Sequence, residues 1–188
     1  VVTLSNAGYV KAQPVDIYTS QKRGGRGKTA ATVKDEDFIE KLFVANSHDT
    51  ILCFSSLGKV YWLKVYDIPQ SGRSAKGKAI VNILSLAQFE KITAIQKISN
   101  YDENLFVLMA TSNGIIKKTK LSDFSRPRSS GLIAINLKDG DNLIEVSITD
   151  GTKEIMLFSS AGKTIKFKES DVKCVGRTAA GVKGISIG

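Results

Sequence analysis

A pattern of about fifty residues repeats four times along this chain of 188 residues. In each copy an apolar run is followed by a short polar segment and a glycine. A second run with basic residues comes next, and the copy closes with a short segment of acidic and apolar residues, which we call the exit. Four glycines, which we call the pivot glycines, lie 50, 56 and 48 residues apart: Gly8, Gly58, Gly114 and Gly162. Such a period is typical of propeller-like repeat folds, since a single unit of this size cannot bury its apolar face alone.

The runs on both sides of each pivot glycine predict β-hairpins, because they are short, rich in β-branched and aromatic residues, and separated by a glycine-containing turn. Further short runs follow, so we expect roughly four strands per unit and about fifteen overall. No long segment has the 3.6-residue period of a helix, although residues 35–43 are compatible with a helical turn. The sequence therefore predicts one all-β repeat domain over residues 1–188, with approximate units at 1–50, 51–105, 106–154 and 155–188, the last incomplete.

A glycine-containing basic segment follows the exit of each unit and contains no acidic residue. We call these segments loops 1 to 4; they span residues 21–28, 70–78, 125–131 and 173–184. Their glycines Gly27, Gly77, Gly131 and Gly181 follow the pivot glycines by 17 to 19 residues. This register predicts that every unit presents its basic loop at an equivalent place.

The four loops account for the whole net positive charge of the chain. There are 27 Lys and Arg against 18 Asp and Glu, a net charge of +9, and twelve of the basic residues lie in the loops. A positive field confined to equivalent loops predicts contact with a polyanion, since Lys and Arg neutralise phosphates and glycine lets the backbone approach closely. The loops contain no aromatic residue, which favours contacts to the backbone of duplex DNA over stacking on unpaired bases.

Residues that often mark catalytic or metal sites have structural explanations here. His48 precedes Asp49, but neighbours on an extended chain point to opposite faces, so we expect a turn. Cys53 and Cys174 occupy non-equivalent positions and are expected to be free thiols of a reducing compartment. The acidic segment 35–40 is expected to be a solvated turn or helix start, and the Cys/His spacing of common metal sites is absent. We therefore expect no metal site.

The apolar runs are too short to span a bilayer, and no signal-peptide pattern opens the chain, so we expect no membrane contact and a cytoplasmic protein. Seven aromatic residues fall within these runs, where we expect them to pack in the cores of the units: Phe43, Phe54, Tyr61, Trp62, Phe106, Phe158 and Phe167. Trp62 follows Tyr61 on a strand, so it faces the opposite side and is expected to be partly exposed.

Residues 21–28, with the sequence QKRGGRGK, resemble the gyrase box, the motif Q-[RK]-R-G-G-[RK]-G of the C-terminal domain of bacterial DNA gyrase A. Residues 1–14 before the box, 34–61 after it and 167–185 near the end resemble that domain as well. The similarity thus covers essentially the whole chain. The chain resembles this family of type IIA topoisomerase domains.

The resemblance implies a β-pinwheel, a propeller-like disc of four-stranded blades that exchange strands between neighbours. The complete family domain has six blades, so this chain would be a partial, open array of about four. In the family, duplex DNA wraps around the basic rim with positive writhe, which lets gyrase introduce negative supercoils. Carried over to this sequence, the box residues that bind DNA are Gln21, Lys22, Arg23, Gly24, Gly25, Arg26, Gly27 and Lys28. Loops 2 to 4 supply rim candidates that would contact phosphates without reading bases: Arg73, Lys76, Lys78, Arg126, Arg128, Arg177 and Lys183.

The resemblance also implies partners: duplex DNA, and the remainder of gyrase A with gyrase B in an A2B2 assembly. Self-association of the open fragment through unpaired strand edges is a further expectation. ATP and Mg²⁺ would serve only the complete enzyme, and since no P-loop pattern is present we expect a non-catalytic, cofactor-free DNA-binding domain at the bacterial nucleoid. Two alternatives stay open: the equivalent domain of the topoisomerase IV A protein, whose box is degenerate or absent, and a propeller-like protein-interaction scaffold.

Overall fold

A computed structural model describes residues 1–18, 23–25 and 37–187 of the chain. Within these residues the chain forms β-strands and short 3-10 helices, and no α-helix. The strands are β1 (Val2–Ser5), β2 (Tyr9–Ala12), β3 (Ile39–Phe43), β4 (Thr50–Ser55), β5 (Lys59–Lys64), β6 (Lys78–Ala79), β7 (Ile92–Ile98), β8 (Phe106–Thr111), β9 (Ile115–Lys120), β10 (Leu132–Ile133), β11 (Leu143–Thr149), β12 (Glu154–Phe158), β13 (Thr164–Lys168) and β14 (Val182–Lys183). The predicted all-β class is confirmed.

Every pivot glycine turns a β-hairpin, as the sequence predicts. The hairpins are β1–β2, β4–β5, β8–β9 and β12–β13. In each turn the pivot amide donates to the carbonyl three residues earlier at 2.9–3.0 Å, and the pivot φ lies between +74° and +83°. The side-chain hydroxyl of that earlier Ser or Thr also accepts a hydrogen bond from the backbone amide of the residue after the glycine. Because glycine alone adopts this φ without strain, the turn explains why the polar segment and glycine recur.

Each complete sheet contains three strands of one repeat and one strand of the next. The strand orders are β3-β1-β2-β6, β10-β5-β4-β7 and β11-β8-β9-β14. The short strands at the end of loop 2, directly after loop 3 and within loop 4 therefore pair with the preceding repeat, whereas run spacing alone placed them in their own unit. Strand exchange of this kind is what the resemblance implies for a β-pinwheel.

The chain divides into two compact units, called unit 1 and unit 2 from here on, whose bounds differ from those of the four sequence repeats. Unit 1 comprises Val1–Thr50 and Leu63–Ser85, and unit 2 comprises Ile51–Trp62 and Leu86–Gly188. Unit 1 contains the sheet β3-β1-β2-β6, and unit 2 contains a core formed by buried side chains of β4, β5, β7, β8 and β11 and of the segments after β9 and β10. In that core the rings of Phe54 and Phe124 pack edge to face, with centroids 6.0 Å apart.

The fourth repeat contributes a two-stranded sheet, β12-β13. Phe158 at the end of β12 exposes 71% of its surface, so the expectation that it packs in a core is wrong. Two strands offer too little apolar surface to cover the side chains on both of their faces.

Candidate nucleic-acid interface

Loops 2, 3 and 4 lie along the second hairpin strand of the preceding repeat. Loop 2 starts beside the end of β2, where Gln70 bridges to Ala12, and it ends in β6, after which the Ile80 amide donates to the carbonyl of pivot Gly8 at 2.8 Å. Loop 4 repeats this path beside β9, from the bridge between Cys174 and Lys118 to the amide of Gly184, which donates to the carbonyl of pivot Gly114 at 2.8 Å. Equivalent placement follows from the strand exchange.

The glycine that lies 17 to 19 residues after the pivot in each described loop is required by close packing against that strand. Gly77, Gly131 and Gly181 have φ of +88°, +73° and +87°. A Cβ atom at these positions would lie 2.5 Å from the carbonyl oxygen of Val10, 2.7 Å from the Tyr61 ring and 2.6 Å from the carbonyl oxygen of Ile116, respectively. No side chain fits at such distances, which is the physical reason for the constant glycine register of the loops.

Most rim candidates are exposed. Two arginines at equivalent loop positions, Arg73 and Arg177, are half-buried, because their guanidinium groups donate to the backbone carbonyls of Ile17 at 2.6 Å and Ile133 at 3.0 Å. A guanidinium has five N–H donors, so one such bond fixes its orientation without exhausting it. The exposed candidates are Lys76, Lys78, Arg126, Arg128 and Lys183.

Loop 1 is described only in part. Arg23, Gly24 and Gly25 are exposed, and Gly24 has φ of +80°. The other predicted box residues lie outside the described residues: Gln21, Lys22, Arg26, Gly27 and Lys28.

An open pocket of about 420 Å³ in unit 2 brings two loops together. Arg126 of loop 3 and Arg177 of loop 4 line it, with the hydroxyl residues Ser122, Ser125 and Thr178 and one acid, Asp123. Guanidinium and hydroxyl donors on one concave surface suit a phosphate oxygen.

Among the described residues no loop base forms a direct ion pair with a carboxylate, although Lys76 is close enough to Asp37 for their charges to interact. The two ion pairs found there lie outside the loops and join Lys153 to Asp150 at 2.9 Å and Lys166 to Glu154 at 2.8 Å. Lys76 instead places its ammonium 3.8 Å from the centre of the Tyr9 ring, a cation–π contact. The loop bases described here therefore keep their charge available to an external anion.

Two buried lysines, which the sequence analysis did not single out, lie against loops 2 and 4. The Lys11 ammonium on β2 donates to the carbonyls of Gly72, Arg73 and Ala75 at 3.2, 2.9 and 2.9 Å. The Lys117 ammonium on β9 donates to the carbonyl of Ala134 at 2.6 Å and to that of Arg177. Both lysines stand three residues after a pivot glycine, and this shared position is the signal that could have found them.

Burial affects the pKa of both lysines. Desolvation lowers the pKa of Lys11. Desolvation, with a further contribution from the positive charge of Arg177, lowers the pKa of Lys117 to about 8, although Asp123 acts in the opposite direction. The carbonyls that accept hydrogen bonds from both ammonium groups favour their charged form.

In the second repeat the position three residues after the pivot is Tyr61, whose ring lies under Gly131 of loop 3. Its hydroxyl donates to the buried Glu90 carboxylate, with oxygen distances of 2.9 and 3.1 Å. Burial first, and then the Glu90 carboxylate, raise the pKa of Tyr61. Loop 3 therefore rests on an aromatic ring where loops 2 and 4 are held by an ammonium group.

No group of three or more His, Cys, Asp or Glu side chains in the described part of the chain is arranged to hold a metal ion. Nor does that part contain a helix with the length and hydropathy needed to cross a membrane.

Comparison with known proteins places this arrangement in a family. The sequence model described as "DNA gyrase C-terminal domain, beta-propeller" matches residues 1–46, 49–99, 106–150 and 153–188. The DNA gyrase A protein of Haemophilus influenzae is 60% identical over 187 residues, which cover 100% of this chain and 21% of that protein. The chain thus spans about a fifth of the length of the curated relatives it matches.

Two solved structures share the fold. The C-terminal domain of DNA topoisomerase IV is similar with a TM-score of 0.84 at 33% identity, over 100% of this chain and 57% of that one. The DNA gyrase A C-terminal domain is similar with a TM-score of 0.74 at 26% identity, over 98% of this chain and 59% of that one. The predicted β-pinwheel and the resemblance drawn from the sequence are confirmed.

Proposed function

The chain belongs to the DNA gyrase C-terminal domain family, and from this membership we propose that it binds duplex DNA and wraps it around its basic loops. The wrapped segment takes a positive writhe, and its presentation to the catalytic core lets the complete enzyme introduce negative supercoils. The chain itself performs no chemical step and needs no cofactor in this proposal.

The observation that carries the proposal is the equivalent anchoring of loops 2, 3 and 4. A glycine with positive φ packs each loop against the preceding repeat, so the basic residues of each loop project from a corresponding point of its blade. Wrapping requires such a series of contacts, because bending 20–30 base pairs by 40–90° costs on the order of 1–6 kcal/mol that phosphate contacts must offset. Contacts of this type do not read bases, so binding tolerates any sequence and weakens with salt.

The proposed contact residues are those of the predicted box and rim. Arg126 and Arg177 are the best supported of these, since they line one pocket with hydroxyl donors. The intact box favours gyrase over topoisomerase IV as the parent enzyme. The remaining partners we propose are the rest of gyrase A and the gyrase B protein in an A2B2 assembly, which uses ATP and Mg²⁺ in the bacterial cytoplasm at the nucleoid.

Removal of two loop charges tests phosphate contact directly. Arg126→Ala with Arg128→Ala should weaken binding to linear duplex DNA and make the slope of log affinity against log salt shallower by up to about 1.8, or about 0.9 for each lost phosphate contact. The matched control is Lys153→Ala with Lys166→Ala. These two exposed lysines are already paired with Asp150 and Glu154. The control should change both quantities little. A salt-independent affinity, or equal losses in the two double variants, would refute the proposal and favour a protein-interaction scaffold.

Ligation of nicked plasmid in the presence of the chain tests wrapping separately from binding. Positive writhe trapped at ligation appears as a shift of the topoisomer distribution towards positive linking difference. If the chain binds DNA but leaves the distribution unchanged over saturating concentrations, the wrapping part of the proposal is wrong for these 188 residues.

A further inference from the structure

We propose that Lys11 and Lys117 are positioning residues that hold loops 2 and 4 in the conformation that contacts DNA phosphates. This inference rests on the proposed DNA-binding function and deepens it. Neither lysine reaches the surface, with exposed fractions of 3% and 1%, so any effect on DNA must pass through the loops.

The Lys11 ammonium donates hydrogen bonds to three loop carbonyls, whose oxygens therefore face the interior. Gly72, Arg73 and Ala75 all direct their oxygens at the Nζ atom, within 3.2 Å. In a trans peptide the C=O and N–H groups point in opposite directions, so the amide that shares a peptide with the Arg73 carbonyl points away from the lysine. That amide belongs to Ser74, which is exposed. The lysine thus turns partially negative oxygens inward and partially positive amides outward.

The same arrangement occurs independently in unit 2. Lys117 donates to the carbonyl of Arg177, which is the loop 4 residue equivalent to Arg73 of loop 2. The peptide that contains this carbonyl continues to the amide of Thr178, and Thr178 lines the pocket shared with Arg126. An outward amide there adds a donor to the guanidinium groups of the pocket.

A neutral side chain of similar length would remove this donor from the carbonyls of Arg73, Ala75 and Arg177, whereas the Gly72 carbonyl would still accept from the Ala75 amide. Buried carbonyls need a hydrogen-bond partner, so the loop would rotate them towards water. Oxygens would then face the DNA backbone where amides face it now. The expected result is fewer phosphate contacts rather than loss of the fold.

Lys117→Met in the 188-residue chain is the principal test, with Lys118→Met as the matched control. Lys118 is the next residue of β9 and is also buried, but its ammonium donates to the Glu169 carbonyl at 3.0 Å, outside loop 4. We expect Lys117→Met to lower the affinity for linear duplex DNA about 3- to 10-fold and to make the salt slope shallower by about 0.9, as for one lost phosphate contact. Lys118→Met should keep the affinity and slope of the unsubstituted chain when measured where all variants are folded.

A double-mutant cycle separates positioning from general destabilisation. If Lys117 acts through loop 4, then Lys117→Met should lower affinity less in an Arg177→Ala background than in the unsubstituted chain, because the contact it supports is already lost. Additive effects of Lys117→Met and Arg177→Ala would overturn the inference. Lys11→Met with Arg73→Ala provides the same cycle in unit 1. If Lys117→Met does not fold, Lys117→Gln, which retains an N–H donor, takes its place in the same measurements.

The outcomes distinguish the inference from the function on which it rests. Failure of the unsubstituted chain to bind duplex DNA at low salt refutes the proposed function and the inference with it. Normal binding by that chain, by Lys117→Met and by Lys118→Met, with one common salt slope, refutes the inference alone. Equal losses in Lys117→Met and Lys118→Met also refute it, since the Lys118 ammonium donates to the Glu169 carbonyl, outside loop 4.

Discussion

Two pivot glycines with nearly the same backbone conformation but different surroundings give a test of strand exchange. Gly114 and Gly162 turn the third and fourth hairpins with φ of +78° and +77°. A Cβ atom at Gly114 would lie 2.3 Å from the carbonyl oxygen of Ile185, which follows the exchanged strand β14, whereas nothing lies within 4 Å of a Cβ atom at Gly162. Alanine at the two positions therefore shares one conformational cost and differs in one steric contact.

The magnitudes follow from that difference. A left-handed conformation costs a residue with a Cβ atom about 1–2 kcal/mol, and this applies to Gly114→Ala and Gly162→Ala alike. At Gly114 the new methyl group must also displace the segment after β14, whose Gly184 and Ile185 amides donate to the Gly114 carbonyl at 2.8 and 3.1 Å. Each such hydrogen bond contributes about 1 kcal/mol net, so Gly114→Ala should cost about 3–4 kcal/mol, about 2 kcal/mol more than Gly162→Ala.

Urea unfolding followed by the fluorescence of Trp62, the single tryptophan and a residue of unit 2, measures both costs. The slopes with urea should stay the same, so the difference is read from the midpoints. Equal destabilisation by the two substitutions, or a larger effect of Gly162→Ala, would refute the close packing of the exchanged segment on the third hairpin.

Two further predictions concern single titratable groups. Burial raises the pKa of the Cys53 thiol to about 12, whereas Cys174 is half-buried in loop 4, so a thiol reagent should modify Cys174 in the folded chain and Cys53 only on unfolding; equal rates for both would contradict the assigned burial. Lys117 holds its proton up to the ordinary value of 10.5 when unfolded but only up to about 8 when folded, so the folded state binds fewer protons between these values and its stability rises with pH there. The unfolding free energy of the unsubstituted chain minus that of Lys117→Met should therefore increase by on the order of 1 kcal/mol from about pH 8 to 10, and a pH-independent difference would show that Lys117 is not desolvated.

Local sequence signals predicted the features that depend on short-range geometry. The pivot glycines predicted the hairpins, because a turn that needs positive φ selects glycine wherever it occurs. The recurrence of the basic loops at a constant distance from those glycines predicted their equivalent placement, since a fixed spacing fits a fixed structural unit. The resemblance of residues 21–28 to the gyrase box indicated the family, which the comparisons confirmed.

Features that depend on contacts between repeats were decided by the tertiary structure. The short strands Lys78–Ala79, Leu132–Ile133 and Val182–Lys183 carry no mark of the sheet they join, because pairing depends on which edge is free and not on composition. Phe158 has the sequence environment of a core residue, but its sheet has two strands and leaves it exposed. Lys11 and Lys117 look like ordinary strand lysines in the sequence, and only the approach of carbonyls 17 to 64 residues away along the chain gives their buried ammonium groups a partner. The sequence determined where the chain turns and where its charge lies, while the tertiary structure decided which repeat covers which strand, because free edges and buried polar groups acquire partners only when distant segments pack together.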